Sequence, residues 1–192
     1  MRIKIGDKKI FSDSIKMLLD VDINIERLNA ITFDSRNVEK GDVFIALLGE
    51  NSDGHNFIQE CVDRGASLII NEKIKADNIV EVKSSKKILI KLASLYRSQM
   101  SCRVIGITGS NGKTTTKELL AHVLNGSYRI SFTKGNYNST IGMPMSLFAI
   151  KKSDEIFIAE IGTNKKGEIE YLSDIAKPDM ALITNISESH LS

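Results

Sequence analysis

The first part of the chain alternates short apolar runs with polar turns. Runs rich in β-branched and aromatic residues at 29–35 (NAITFDS), 41–49 (GDVFIALLG) and 67–71 (SLIIN) predict strands. Residues 54–66 (GHNFIQECVDRGA) instead place their apolar side chains on one helical face, and Gly65 is suited to end such a helix. These elements predict a small α/β domain.

Apolar residues recur at helical spacing over residues 84–100. Residues 100–103 (MSCR) then lead into an alternation of apolar strands and helices. Strands are predicted at 104–107, 128–133, 155–162 and 179–186, and helices at 114–125, 141–150 and 167–176. This alternation is typical of a parallel sheet covered by helices on both faces. With the helix at 84–100 assigned to the second domain, the predicted domains are 1–83 and 84–192.

The first strand of this sheet runs into a glycine-rich stretch, where ligands of such sheets bind. The stretch reads Gly109-Ser110-Asn111-Gly112-Lys113-Thr114-Thr115. Its backbone N–H groups and the helix N-terminus that follows suit a phosphate, Lys113 could reach the β and γ phosphates, and Thr114 could ligate Mg²⁺. The match is to the core GxxGKT, because Ile107 stands where the full pattern has glycine. The alternative interpretation is a glycine-rich turn with an incidental lysine.

Polar residues also follow the other predicted strands. Glu160 ends an apolar strand, and burying a lone carboxylate is costly unless it is paired or binds a metal. It is therefore either a Mg²⁺ ligand or water-holding residue that faces the phosphates, or a strand-end residue that reaches solvent or caps another group. Asn136, Asn138 and His190 follow two further strands and could face the same cleft, although polar loop residues usually build turns.

Composition narrows the class of protein. The formal net charge of +2 and the scattered basic residues argue against nucleic acid as a partner. No apolar run approaches the ~20 residues that cross a bilayer, and the N-terminus lacks the features of a signal peptide. The two cysteines, Cys61 and Cys102, form no metal or redox motif and are expected to be reduced, partly buried thiols. We expect a cytoplasmic protein without membrane insertion.

Five stretches, taken together, resemble one protein family. Residues 108–118 (TGSNGKTTTKE), 135–144 (GNYNSTIGMP), 160–169 (EIGTNKKGEI) and 183–191 (ITNISESHL) resemble, in order, the central ATPase domain of the Mur ligases. Residues 31–66 resemble the N-terminal UDP-sugar domain of the same family. The resemblance covers nearly the whole chain after about residue 30 and implies a UDP-sugar domain followed by a P-loop-type ATPase domain.

The resemblance implies an ATP-dependent amide-bond-forming ligase of peptidoglycan precursor synthesis. In the family, ATP and Mg²⁺ convert the substrate carboxylate to an acyl phosphate, which the incoming amine attacks. Residues 135–144 and 160–169 are most similar to the member that adds D-alanyl-D-alanine (D-Ala-D-Ala) to UDP-N-acetylmuramoyl-tripeptide (UDP-MurNAc-tripeptide). We expect these small molecules as the substrates, and a monomer for the full-length protein.

Roles for individual residues follow from the same resemblance. Lys113 and the backbone of 109–115 would hold phosphates, and Thr114 and Glu160 would bind Mg²⁺ or its waters. His190 would help to place a second metal, and Asn136 and Asn138 would lie on the substrate side of the cleft. The UDP-sugar end would be held by Asp34, Ser35, Arg36, Gly49, Asn51 and His55. A local alternative exists for this last set, since Asp-Ser-Arg could simply build a turn and His55 could cap a helix.

The chain also departs from the family, because it stops two residues after His190. We therefore expect an inactive fragment that lacks the rest of the central sheet, a carbamylated lysine and a C-terminal domain. Three alternatives remain open. They are a family ligase that adds a diamino acid, a non-catalytic module that binds nucleotide or UDP-sugar, and a P-loop GTPase or kinase. The GTPase is disfavoured because Asn164-Lys165-Lys166-Gly167 lacks the aspartate of N-K-x-D.

Overall fold

The computed structural model describes residues 1–49, 52–163 and 165–187. The chain divides into two compact units, Met1–Tyr96 and Arg97–Ser192. This division lies C-terminal to the predicted one at 83/84, because most of the helix at 85–98 accompanies the first unit. The hydroxyl of Tyr96, near the end of that helix, accepts a hydrogen bond from the N–H of Asp7 (2.8 Å), and its ring packs edge-on against Phe11.

The first unit is built on a five-stranded sheet. Its strands, in spatial order, are β1 (Arg2–Lys4), β2 (Ala30–Thr32), β3 (Val43–Ile45), β4 (Leu68–Asn71) and β5 (Ile79–Glu81). β1 is antiparallel to β2, and the other neighbours are parallel. The three predicted strands are confirmed, and β2, β3 and β4 are buried along their whole length, as parallel strands covered on both faces require.

The helices of the first unit show one error in the sequence analysis. They are α1 (Lys8–Leu19), α2 (Ile58–Asp63) and α3 (Ser85–Ser98), with 3-10 turns at Ser35–Asn37 and Gly54–Phe57. α1 was not predicted, although the Asp7 side chain caps it by accepting from the N–H of Ile10 (2.9 Å). The predicted helix at 54–66 is confirmed, but it begins as a 3-10 turn.

The second unit has a four-stranded, entirely parallel sheet in the order β7-β8-β6-β9. Along the chain its elements are β6 (Arg103–Thr108), α4 (Lys113–Leu124), β7 (Ile130–Phe132), α5 (Gly142–Leu147), β8 (Ile156–Glu160), α6 (Glu168–Ala176) and β9 (Met180–Ile183). The predicted alternation of strands and helices is confirmed. α4 packs through Leu120, Ala121 and Leu124 on the face of the sheet that carries Ile107 and Ile158.

The register of this sheet fixes what its carboxyl edge brings together. β6 pairs with β8 so that Ile107 lies opposite Glu160, and with β9 so that Thr108 lies opposite Ile183. The loop after β6 therefore lies between the carboxyl ends of β8 and β9. β9 is an edge strand, and Met180, Leu182 and Ile183 are exposed on it.

Across the described ranges, every helix is too short or too polar to cross a bilayer. Cys61 and Cys102 are free and buried, as expected. Burial raises the pKa of the Cys61 thiol to about 12, which makes it unreactive near neutral pH.

Candidate functional site

The loop between β6 and α4, residues 109–112, is called here the glycine loop. Gly109 has φ +139° and Gly112 has φ +80°, conformations that side chains rarely adopt. Gly112 is also the N-cap of α4, and it offers no side-chain cap. The first N–H groups of α4 therefore have neither an intrahelical partner nor a capping side chain, which is the arrangement that binds anions at helix N-termini.

Lys113 folds back over the glycine loop. Its Nζ donates hydrogen bonds to the carbonyl oxygens of Gly109 (2.5 Å) and Ser110 (3.2 Å). The ammonium group is thus held against the loop by backbone acceptors, where a phosphate could exchange with them. Thr115 is exposed in the first turn of α4. The phosphate contact of Lys113 stays a prediction.

Glu160 joins two other predicted site residues, Thr114 and Asn138. This residue ends β8 and is only 2% exposed. Its Oε1 atom accepts hydrogen bonds from Thr114 Oγ1 (3.0 Å) and from Asn138 Nδ2 (2.8 Å). Its own N–H donates to Thr133 Oγ1 (3.1 Å). The structure therefore brings together residues from α4, β8 and the loop after β7. The alternative that Glu160 reaches solvent is wrong.

A residue missed by the sequence analysis, Lys117, completes this cluster. It is fully buried on α4, and its Nζ lies 3.3 Å from Glu160 Oε2, 3.2 Å from Glu118 Oε1 and 5.8 Å from the centre of the Phe132 ring. Within the described residues, neither Lys117 Nζ nor Glu160 Oε2 has a partner with hydrogen-bond geometry. Buried charges are ordinarily both paired and hydrogen-bonded, so this pair is incompletely satisfied.

The donor set at this point fits Mg²⁺ as a partial site. A carboxylate with one oxygen lacking a hydrogen bond and an adjacent threonine hydroxyl are hard oxygen ligands, and Mg²⁺ ordinarily keeps waters and phosphate oxygens beside one or two protein ligands. Among the described residues there is no cluster of three or more His, Cys, Asp or Glu that would form a complete protein cage. The metal would thus be shared with the nucleotide.

The two asparagines after β7 behave differently. The side-chain amide of Asn138 donates to Glu160, and the backbone carbonyl oxygen of Asn138 accepts from the N–H of Gly162 (3.0 Å). A Cβ at Gly162 would come within 2.9 Å of the Asn138 side chain, so a larger residue there would have to displace that side chain. Asn136 is exposed in the same loop, and the described contacts do not join it to Glu160. Only Asn138 is thus part of the Glu160 cluster.

The segment that follows β9 also contacts the glycine loop, and the sequence analysis assigned it no role. Asn185 Oδ1 accepts from the N–H of Asn111 (2.8 Å), and Thr184 Oγ1 donates to the Asn111 carbonyl (2.5 Å). Ser110 and Ser187 exchange two further hydrogen bonds. The strand predicted through residue 186 ends at Ile183, and this early end frees Thr184 and Asn185 for the loop.

In the first unit, Asp34, Ser35 and Arg36 form one local turn. The Asp34 carboxylate accepts from the N–H and guanidinium of Arg36 (3.2, 2.8 and 2.8 Å) and from Asn37 Nδ2 (2.9 Å). The guanidinium lowers the pKa of Asp34 below its usual value. Ser35 is buried within the 3-10 turn that Asp34 caps. These contacts agree with the turn-building alternative, and they leave the Arg36 side chain exposed.

Gly49 and His55 belong to a second turn of the first unit. Gly49 donates to the Ser52 carbonyl (2.9 Å), and Asp53 accepts from the His55 N–H (2.9 Å), from His55 Nδ1 (2.5 Å) and from Lys73 Nζ (2.7 Å). Lys73 and the His55 N–H hold the pKa of Asp53 well below its usual range. The buried Nε2 of His55 has no hydrogen-bond partner within the described residues. Asn51 and His190 lie outside the described residues.

The fold and the glycine loop thus define an α/β domain suited to nucleotide phosphates, and comparison with known proteins specifies the class. Residues 107–192 match the Mur ligase middle domain, and residues 27–98 match the Mur ligase family catalytic domain. The chain belongs to the Mur ligase family. This membership confirms the family-level prediction and leaves the GTPase alternative without support.

Two curated relatives are UDP-N-acetylmuramoyl-tripeptide--D-alanyl-D-alanine ligases. The chain is 38% identical over 169 residues to the ligase of Bacillus subtilis (strain 168), covering 85% of this chain and 37% of that protein. It is 39% identical over 185 residues to the ligase of Rickettsia prowazekii (strain Madrid E), covering 94% of this chain and 41% of that protein. The chain thus spans about two fifths of the length of these relatives.

Solved structures agree with this assignment. MurF from Acinetobacter baumannii superimposes with a TM-score of 0.84 at 35% identity, covering 94% of this chain and 42% of that one. MurF from Thermotoga maritima in complex with ADP superimposes with a TM-score of 0.78 at 40% identity, covering 84% of this chain and 38% of that one. The predicted fold, α/β with parallel sheets in two domains of this family, is confirmed.

Proposed function

We propose that this chain supplies the sugar-nucleotide and ATP half-sites of a ligase that joins D-Ala-D-Ala to UDP-MurNAc-tripeptide. The observation that supports the proposal most is the Glu160 cluster. A buried, incompletely hydrogen-bonded carboxylate contacts Thr114 beside a glycine loop, as an Mg²⁺-nucleotide site requires. The ADP-bound relative has the same fold over 84% of this chain, and the related ligase of Bacillus subtilis is 38% identical in sequence.

The reaction that we propose has two steps. A carboxylate oxygen of the tripeptide attacks the γ-phosphorus of ATP, the bond to the β-phosphate oxygen breaks, and ADP leaves. The amine of the dipeptide then attacks the acyl carbon, loses a proton, and phosphate leaves as the amide forms. Phosphorylation is needed because a carboxylate is a poor electrophile, and the enzyme's task is mainly to position the groups and to neutralise charge.

The residues of the second unit divide this task. Lys113 would exchange its loop carbonyls for phosphate oxygens, and the first N–H groups of α4 would hold the phosphates. Thr114 and Glu160 would hold Mg²⁺, which when bound supplies neutralisation of phosphate charge. Asn138 fixes the orientation of Glu160 through Oε1. For Asn136 at the substrate and His190 at a second metal, the proposal rests on the resemblance alone.

The first unit would bind the UDP-sugar end. The supporting residues are those of the two local turns, namely Asp34, Ser35, Arg36, Gly49 and His55, together with Asn51. Of these, the exposed Arg36 guanidinium is the group most able to contact a ligand. The Nε2 atom of His55 is buried and has no hydrogen-bond partner within the described residues. ATP and nucleotide-linked precursors are consistent with a cytoplasmic location, and we propose a monomer for the whole enzyme.

Calorimetric titration of this chain tests the proposal. Mg²⁺ with a non-hydrolysable ATP analogue and UDP-MurNAc-tripeptide are titrated separately into the wild type and into Lys113→Ala. We expect both ligands to bind the wild type. Lys113→Ala should weaken the analogue at least tenfold, because it loses the cation at the phosphates, and should leave the UDP-sugar unchanged.

A circular-dichroism melt of each sample shows whether it is folded. Failure of a folded wild type to bind either ligand would contradict the proposal. Binding of UDP-MurNAc-tripeptide and nucleotide by a whole protein that shows no turnover would instead support a non-catalytic binding module. Turnover by the whole protein with a diamino acid in place of D-Ala-D-Ala would assign it to another member of the family.

A further inference from the structure

The segment that follows β9, residues 184–187, is called here the post-β9 segment. We propose that this segment positions the glycine loop for the phosphates of the nucleotide, with Thr184 and Asn185 as the positioning residues. The inference rests on the proposed function, since it assumes that the glycine loop binds phosphates. It concerns a group of contacts that serves no step of the reaction described above.

The peptide groups that flank Asn111 are held from both sides. Asn185 Oδ1 accepts from the N–H of Asn111 at 2.8 Å, and Thr184 Oγ1 donates to its carbonyl oxygen at 2.5 Å. Asn111 is itself exposed, so water could satisfy these groups if positioning were unimportant. Two adjacent side chains instead hold one residue of the loop in one orientation.

Ser110 is bound by the same segment. Its N–H donates to the carbonyl of Asn185 (3.1 Å), and its hydroxyl donates to the Ser187 carbonyl (2.9 Å) and accepts from the Ser187 N–H (3.0 Å). The segment follows β9 directly, since the Thr184 N–H still bonds the Thr108 carbonyl (2.9 Å). The loop is therefore attached along its length to the neighbouring strand.

Gly109 provides an independent observation. A Cβ atom at this position would lie 2.1 Å from Thr184 Oγ1 and 2.9 Å from the Asn185 carbonyl oxygen. Glycine is therefore needed here for the close approach of the post-β9 segment as well as for φ +139°. By contrast, a Cβ at Gly112 would meet Thr184 only at an ordinary 3.9 Å. The first glycine of the loop is the one that the segment requires.

These contacts decide which N–H groups remain for a ligand. The N–H groups of Ser110 and Asn111 are used by the post-β9 segment. The N–H groups that open α4 are the ones an α-helix leaves without internal partners. With the segment in place, the loop presents the helix N-terminus and Lys113 to the phosphates. Without it, the loop would spend part of its time in other conformations, and apparent affinity falls with the competent fraction.

The test compares variants of this chain by calorimetric titration with Mg²⁺-ADP. Thr184→Val removes the hydroxyl donor with little change in shape, and Thr184→Ser keeps it. Asn185→Ala removes the acceptor for the Asn111 N–H. Asn125→Ala, at the C-cap of α4, is the matched control for an asparagine truncation away from the loop. Amide hydrogen exchange at Asn111, followed by NMR without nucleotide, reports directly on the positioning.

We expect Thr184→Val and Asn185→Ala each to weaken binding of Mg²⁺-ADP about tenfold, as the loss of one hydrogen bond would do. Thr184→Ser and Asn125→Ala should stay within about twofold of the wild type. Exchange at Asn111 should be faster in Asn185→Ala than in Asn125→Ala. If Thr184→Val fails to fold, Asn185→Ala still tests the proposal, because it removes the acceptor for the N–H of Asn111.

Wild-type affinity in both Thr184→Val and Asn185→Ala would overturn this proposal while leaving the proposed function intact. A loss in Thr184→Val that Thr184→Ser does not restore would also overturn it, because the hydroxyl would then not be the cause. Absence of nucleotide binding by a folded wild type would overturn the proposed function, and the positioning role with it.

Discussion

Two buried carboxylates, one in each unit, are satisfied in different ways. Asp42 in the first unit is fully buried, and each of its oxygens accepts two hydrogen bonds. The donors are Arg2 Nε (2.7 Å), Arg2 Nη2 (3.0 Å), the Glu39 N–H (3.0 Å) and the Ala30 N–H (3.1 Å). Glu160 in the second unit accepts two hydrogen bonds on Oε1 and none on Oε2 within the described residues.

The difference distinguishes a buried charge with a structural role from one that is available to a ligand. The Asp42 carboxylate has no capacity left for a ligand, so its role is to hold β1 and the turn before β3 together. The Glu160 carboxylate retains an oxygen with only a 3.3 Å ion pair to Lys117. An incompletely bonded buried charge is costly, and folds keep such groups where a ligand completes them.

The largest effect is expected from Asp42→Asn. The NH₂ group of the new amide would face N–H donors that now bind a carboxylate oxygen. Arg2 would also lose its buried negative partner. We expect a loss of about 4 kcal/mol in the free energy of unfolding, measured by urea denaturation. Glu39→Gln is the matched control, because this exposed carboxylate also contacts Arg2 (2.8 Å) and should cost less than about 1 kcal/mol. Equal costs for the two variants would contradict the comparison.

Lys117→Met should have the next largest effect. Methionine retains the length of the side chain, but Glu160 loses its buried cation, and we expect a cost of about 3 kcal/mol. The double variant Lys117→Met/Glu160→Gln should recover most of that loss, because both buried charges are removed. Urea denaturation of the four proteins gives the coupling. Additive costs would show that Lys117 and Glu160 do not depend on each other.

The smallest expected effect is on how stability declines at acid pH. The pKa of Asp53 is lowered in the folded state by Lys73 and the His55 N–H, so its stabilising contribution is complete above its ordinary pKa of about 4. That contribution is lost as pH falls from there toward the lower folded pKa. Stability measured between about pH 5 and pH 2 should therefore decline less steeply in Asp53→Asn than in the wild type. A decline of unchanged slope would show that Asp53 is not a source of acid sensitivity.

Much of the second unit was predictable from the sequence because its signals are local. The apolar strands, the glycine loop and the carboxylate at the end of β8 follow from residue type and position along the chain. In the first unit α1 was missed although its apolar residues recur at helical spacing, so this signal was present in the sequence and was overlooked; they are Ile10, Phe11, Ile15, Leu18 and Leu19. Local hydrogen bonds at Asp34 agree with the turn alternative that the sequence analysis left open. The capping alternative for His55 is wrong, because Asp53 is the residue that caps the Gly54–Phe57 turn.

Residues whose role depends on contacts between distant segments were not predictable. Lys117 lies in a polar helical stretch where a lysine is expected to face water. Its spacing of three, four and seven residues from Leu120, Ala121 and Leu124 is the sequence signal that it faces the sheet. Thr184 and Asn185 reach the glycine loop because β6 and β9 pair in parallel register, and nothing in either segment alone specifies that pairing.

The most direct test of the account is the Mg²⁺ dependence of nucleotide affinity in Glu160→Gln, with Asp42→Asn as the matched control. Binding of an ATP analogue would be measured by calorimetry with and without Mg²⁺, at a temperature where circular dichroism shows all three proteins folded. The account predicts that Mg²⁺ strengthens binding at least tenfold in the wild type and in Asp42→Asn, and has little effect in Glu160→Gln. Full Mg²⁺ dependence in Glu160→Gln would contradict the assignment of this carboxylate to the metal.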